Sequence, residues 1–421
     1  MSLERSALRL GFIALSDCAP LVAAREKGFF EAEGLSVDLS REASWANIRD
    51  KVAMGALDGA HMLGPLPLAV NLGVGGEPTP MIAPLSLNLN GSAITVSTAL
   101  ADAMRAADPA AMAARPKLAA PLAAVIADRR ARGLPALTFA VVFPFSVHNY
   151  ELRYWLAAAG IDPDQDVRVV VTPPARMATR LAQGDIDGFC VGAPWNAQAV
   201  ADGHGEILIY ASELWRVGPD KVFGLTQAWA ERNPETLQAI LRALIRAAVW
   251  ADEPGNRREL AAILSHPRYV DAPEAVVAQS LLGSPAYAPS EPGADSQDYI
   301  SYHRYAASFP WRSHAVWFLT QMMRWGQIPA DTDVAAAAAA AYRPDLYRVA
   351  AQQLGVPAPI VDEKVEGLHS APWTLDEATA PIAMAPDLFF DGGTFDAGQP
   401  HLYAGGFAIT RLPPWTTARK F

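Results

Sequence analysis

Phe189–Gln198, FCVGAPWNAQ, is the stretch on which the fold turns. Its first residues complete Ile186–Val191, an apolar run between Gly184 and Gly192 that reads as a buried strand. Pro194 and Trp195 follow at the strand's end and read as the architecture of a cleft. Immediately upstream, Met177–Gln183 is helical in pattern, and Val167–Val171 is a strand closed by Thr172-Pro173-Pro174. Pro173 and Pro174 are expected to shape a cleft rim, since two successive prolines make a rigid loop. Further back, Asn149–Ala159 reads as a helix ended by Gly160, and Leu137–Phe143 as another buried strand. This repeated β-α-β order predicts an α/β lobe.

The same order opens the chain. Leu8–Leu15 is a strand, Pro20–Phe30 carries apolar residues at helical spacing, Gly34 breaks it, and Leu35–Leu39 alternates as a second strand. A parallel sheet with a right-handed crossover is expected, with its ligand at the C-terminal ends of the strands. Ser44 is placed to cap a helix over Ala46–Met54, with Trp45 at its mouth. Asn90–Ser97 reads as a strand after a turn, residues 98–136 as helical, and Val222–Thr226 as the returning strand. Asn233 and Pro234 look like the cap and first position of a long helix to Trp250. The alanine run Ala335–Ala341 reads as helix. The predicted division is a discontinuous first lobe (8–95 plus 235–355), a second lobe (96–234) and a Pro-, Gly- and Asp-rich C-terminal extension (356–421) with some β-structure.

A chain of 421 residues with 51% hydrophobic and 19% charged residues suits a globular protein with a large core. A net charge of −10 argues against direct nucleic-acid binding, which needs a basic face. It does not exclude a small anion, which a few local donors can hold. No apolar run is long enough to be a transmembrane segment. The first residues, MSLERSALRLGFIALSDCAP, lack the pattern of a secretory leader, and Cys18 and Cys190 read as separate buried thiols. Both features point to the cytoplasm; a periplasmic protein whose leader had been removed would start the same way.

FCVGAPWNAQ, Ala43–Asp50 (ASWANIRD) and Phe143–Trp155 (FPFSVHNYELRYW) together resemble the nitrate/bicarbonate-binding branch of the periplasmic-binding-protein superfamily. Shared residues run from Gly11 to about Leu354. The resemblance implies a type II periplasmic-binding-protein-like α/β fold, two lobes with an interlobe cleft, and a small inorganic anion, nitrate or nitrite, as ligand. It implies ligand contacts from Trp45, Gly91, Ser92, His148, Pro173, Pro174, Trp195 and Lys221. Lys221 falls where nitrate receptors carry Lys and the bicarbonate-binding relatives an acidic residue associated with calcium. Ser92 departs from nitrate receptors, in which Gln follows the glycine, and Ala193 stands where relatives commonly have Glu.

Within this family, the absent leader, the FPFSVH segment and the tail with FFDG look most like cytoplasmic NasS-type sensors. The implied partner is an RNA-binding antiterminator of the ANTAR (NasT-like) type, released when the anion binds. The alternative is the substrate-binding component of an ABC transporter, with an ABC permease as partner. No cofactor or metal is expected, and catalysis has little support. H-E-x-x-H and G-x-x-x-x-G-K-[ST] are missing, Gly73–Gly76 (GVGG) is too weak for a dinucleotide site, and the cysteine-rich motif of the thiamine-pyrimidine branch is absent.

Overall fold

The computed structural model describes residues 2–293 and 297–413. Its strands in chain order are β1 (Ala7–Phe12), β2 (Ser36–Arg41), β3 (Gly59–Leu63), β4 (Met81–Ser86), β5 (Leu89–Asn90), β6 (Ser92–Ser97), β7 (Thr138–Val141), β8 (Arg168–Val171), β9 (Gly188–Gly192), β10 (Gly205–Tyr210) and β11 (Lys221–Thr226). Ten of them form two five-stranded sheets, ordered β2-β1-β3-β11-β4 and β10-β6-β9-β7-β8, while β5 pairs with the two-residue strand Ile300–Ser301. This is the α/β two-lobed, periplasmic-binding-protein-like fold that the sequence implied.

The sheets differ from the expected all-parallel form in one respect. β1, β2 and β3 are parallel, but β11 runs antiparallel to both β3 and β4. In the second sheet β7 is parallel to β8 and β9, while β6 runs antiparallel to β9 and β10. β6 and β11 are the two strands on which the chain enters a lobe from the other one, so each arrives from the opposite end of its sheet. They also shift the expected boundaries. β6 begins the second sheet at Ser92, ahead of residue 96, and β11 is already back in the first sheet at Lys221, well before residue 235.

The long helix Pro234–Asp252 packs on the helix Ala19–Glu26, burying Leu237, Leu241, Leu244 and Ala248. It starts where expected, with Asn233 before it and Pro234 first, but the Asn233 side chain does not cap it. The Asn233 amide donates back to the Trp229 carbonyl (2.8 Å), and the Glu4 carboxylate accepts from Glu235 N (3.1 Å) and Thr236 N (2.8 Å). A cap from a distant segment thus satisfies the helix's free N–H groups. The alanine run does form a helix, Val334–Ala341, with Asp333 accepting from Ala336 N at 2.9 Å.

Beyond residue 356 the chain is mostly irregular, with a small hairpin (Trp373–Leu375 with Ile382–Met384) and the short helix Pro400–Gly405. This segment touches both halves of the molecule. Phe389 stacks on Trp215 with ring centres 4.6 Å apart, Tyr154 donates to Asp391 at 2.6 Å, and Trp317 donates to Tyr403 at 3.4 Å. No helix among the described residues is long and apolar enough to cross a membrane.

Candidate functional site

Two helix N-termini bring the predicted Trp and His to the cleft. Ser44 caps the helix Trp45–Ala53 by accepting from Asn47 N (3.2 Å), and Ser146 caps Val147–Ala158 by accepting from Asn149 N (3.1 Å). Extended capping residues fix where each helix starts, so Trp45 and His148 fall in first turns, where free N–H groups and the helix dipole favour an anion. Both side chains are buried, and among the described residues the Trp45 Nε1 and both His148 ring nitrogens have no hydrogen-bond partner. Buried polar atoms without a partner recur elsewhere in the chain, at Gln321 and Trp325 for example, but here they leave donors from two elements available to a ligand.

Between them lies a buried ionic cluster. The Lys221 ammonium is 2.8 Å from Asp17 Oδ2 and 2.5 Å from Asp220 Oδ2. His61 Nε2 lies 2.8 Å from the other Asp17 oxygen, and Lys221 Nζ is 5.8 Å from the Trp45 ring centre. His148 Nε2 stands 3.8 Å from Asp220 Oδ2, too far for a hydrogen bond. Asn88 braces the cluster from below, accepting from Lys221 N through its side chain (3.3 Å).

Burial works against ionisation of Asp17, yet the charge of Lys221 and the contact with His61 hold its carboxyl well below the usual range. Burial likewise disfavours charge on Lys221, but its two carboxylate neighbours raise its pKa above the ordinary value. Asp220 goes the other way: burial and Asp17 outweigh Lys221 and push it up to about 6. Both histidines are shifted downward, by burial first, and His148 then by Lys221 as well. At neutral pH they are therefore uncharged, each able to donate from one ring nitrogen.

The second lobe adds Ser92 and Glu151. Ser92 Oγ donates to Glu151 Oε2 (2.8 Å), and Cys190 Sγ lies 3.5 Å from the same oxygen. Ser92 pairs with Gly192 across the β6–β9 ladder. A Cβ on Gly192 would sit 3.0 Å from Asp17 Oδ2 and 3.6 Å from His148 Nε2, so a side chain there would crowd Asp17 where the two lobes meet. Gly91 takes a left-handed conformation (φ +91°), and a side chain there would strike Ile300 at 2.7 Å.

Other predicted residues have different employment. Trp195 Nε1 donates to the Ala14 carbonyl at 3.0 Å, and Ser16 N to the Ala193 carbonyl at 2.8 Å; both bonds tie FCVGAPWNAQ to the turn after β1, across the cleft. Ala193 N in turn donates to the Gly91 carbonyl at 2.7 Å. Pro174 is buried and Pro173 exposed in the loop after β8. Asp17, His61, Glu151 and Asp220 were not singled out from sequence. Their signals are slight: Asp17 follows a first strand, His61 interrupts a buried one, Asp220 precedes Lys221, and Glu151 lies three residues after His148 on one helix face. Among the described residues no group of three or more His, Cys, Asp and Glu side chains is arranged to hold a metal.

A closed cleft between two doubly connected α/β lobes, floored by one buried ammonium and lined with unspent N–H groups, defines a substrate-binding protein. The sequence pattern of the NMT1-like family matches residues 2–265. The nitrate/nitrite binding protein NrtA of Synechocystis is 34% identical over 97% of this chain and 86% of its own length. The nitrate import ATP-binding protein NrtC of the same organism is 37% identical over 97% of this chain and 56% of its own. The crystal structure of the periplasmic nitrate-binding protein NrtA from Synechocystis superposes with a TM-score of 0.85 at 33% identity, covering 97% of this chain and all of the other. The chain belongs to the NMT1-like family, in its NrtA-like nitrate/bicarbonate branch of substrate-binding proteins.

Proposed function

We propose that the protein is the substrate-binding component of an ABC importer for nitrate or nitrite, working as a receptor in the periplasm. The observation that carries this is the cleft itself. Lys221, Trp45 and His148 converge from both lobes, with N–H capacity left unspent in a water-excluding closed site. A planar monoanion needs several donors, preferably one charged, and gains from each when water is excluded. Lys221 in place of an acidic residue favours nitrate or nitrite over bicarbonate with calcium.

The transport role is preferred to the cytoplasmic sensor that the sequence suggested. The relatives described above are named for binding and import, and sequestration of an antiterminator draws no support from them. The cytoplasmic expectation rested on how the chain begins and on the two buried free thiols Cys18 and Cys190, neither of which decides location. On either role the protein binds and does not catalyse.

The test is isothermal titration with nitrate, nitrite and bicarbonate, the last with and without calcium, on the wild type and on Lys221→Glu. Nitrate or nitrite should bind the wild type, with the heat abolished in the variant. Calcium-dependent bicarbonate binding, or no response to any of the three, would overturn the assignment.

A further inference from the structure

Resting on the anion-receptor role just given, we propose that the site takes its anion together with a proton, and that Glu151 is a further ligand-binding residue, holding that proton and donating it as a hydrogen bond to the anion. The argument begins with the charges gathered at the cleft. Asp17, Asp220 and Glu151 bring three carboxylates to one ammonium, Lys221, and that ammonium is already in contact with Asp17 at 2.8 Å and Asp220 at 2.5 Å. His61 and His148 are kept neutral by burial and add no positive charge. If every carboxylate stayed ionised, the pocket would be negative before the anion entered, and a desolvated anion there would be repelled. A proton entering with the anion removes that conflict.

Glu151 is the carboxylate best placed to carry it. The groups facing it are Ser92 on β6, Cys190 on β9, Asp220 and Lys221 at the start of β11, Tyr299, and His148 one turn back on its own helix. No cation touches it within ion-pair distance among the described residues, unlike Asp17 and Asp220. Ser92 Oγ occupies Oε2 at 2.8 Å, and the carboxyl belongs to the lobe whose Gly192 abuts both Asp17 and His148. Burial first and then the nearby Asp220 push the Glu151 pKa up to about 7, so the acid form is available near neutrality. A protonated carboxyl offers an O–H donor where this chain has the short Ser92. The chain thus replaces one donor by another that works only when protonated.

The experiment is nitrate titration calorimetry from pH 6 to pH 9, in two buffers of different ionisation heat at each pH, on the wild type and on Glu151→Gln. The wild type should take up about one proton per nitrate at the alkaline end, with affinity falling about tenfold per pH unit above the Glu151 range. Glu151→Gln, which keeps a neutral donor, should flatten the profile and abolish the uptake. Buffer-independent heats with a flat wild-type profile would overturn the proposal while leaving the anion receptor intact. A pH slope that persists in a folded Glu151→Gln would overturn the assignment to Glu151. No binding of nitrate, nitrite or bicarbonate at any pH would overturn the receptor and this proposal together.

Discussion

The two walls of the cleft are built on opposite terms. The first lobe supplies the ion-paired groups, Asp17, Asp220 and Lys221, each held by another member of the cluster and buried. The second lobe supplies His148 with both ring nitrogens unspent and Glu151 with no cation partner in reach, among the described residues. One wall is therefore fixed by its own ion pairs, and the other is left adjustable by proton or ligand. The difference teaches that the most charged part of a binding site need not be the part that responds to the ligand. Here the charge organises the floor, and the contacts free to be made lie largely opposite it.

Substitutions should separate the walls. The largest effect is expected from Lys221→Met, which strands two buried carboxylates and should cost about 3–5 kcal/mol of stability, read by urea unfolding of the ligand-free protein. Loss of less than about 1 kcal/mol would show that the first wall is not held by its ion pairs. His148→Leu comes next and should invert the pattern. It removes a polar group with no hydrogen-bond partner among the described residues, so stability should change by less than about 1.5 kcal/mol. Nitrate affinity should nevertheless fall roughly tenfold to a hundredfold in titration calorimetry, as expected for a lost hydrogen bond to a charged ligand. The smallest effect is expected from Ser92→Ala. Its hydroxyl donates to Glu151 and favours the charged carboxylate, so its removal should raise the Glu151 pKa further. Nitrate binding above neutral pH should then strengthen by roughly twofold to threefold, a shift to be read from the pH profile. Weakening instead would mean that Ser92 itself faces the anion.

How much of this was legible in the sequence differs between the walls as well. The strand-and-helix alternation, the Ser44 cap and the places of Trp45, His148 and Lys221 follow from local pattern and resemblance, because each depends on a short stretch. The ionic cluster does not. Asp17, His61 and Lys221 lie on three separate segments that meet only because β11 returns antiparallel beside β3, a pairing that no local period reveals. The antiparallel strands were missed for the same reason, since direction depends on which lobe the chain has come from. Trp195 was identified as cleft architecture, but its hydrogen bond to Ala14 became visible only with both lobes in place.

That meeting of the lobes has a consequence for how the protein tolerates change. Ser16 N donates to the Ala193 carbonyl at 2.8 Å, so part of the closed arrangement is written in main-chain atoms from either side of the cleft. Alanine scanning would pass over such a bond, because every residue except proline brings the same N–H. Drift in the side chains of Ser16 and Ala193 can therefore proceed without removing this link, and amide hydrogen exchange at Ser16 would report closure whatever ligand the cleft had come to hold.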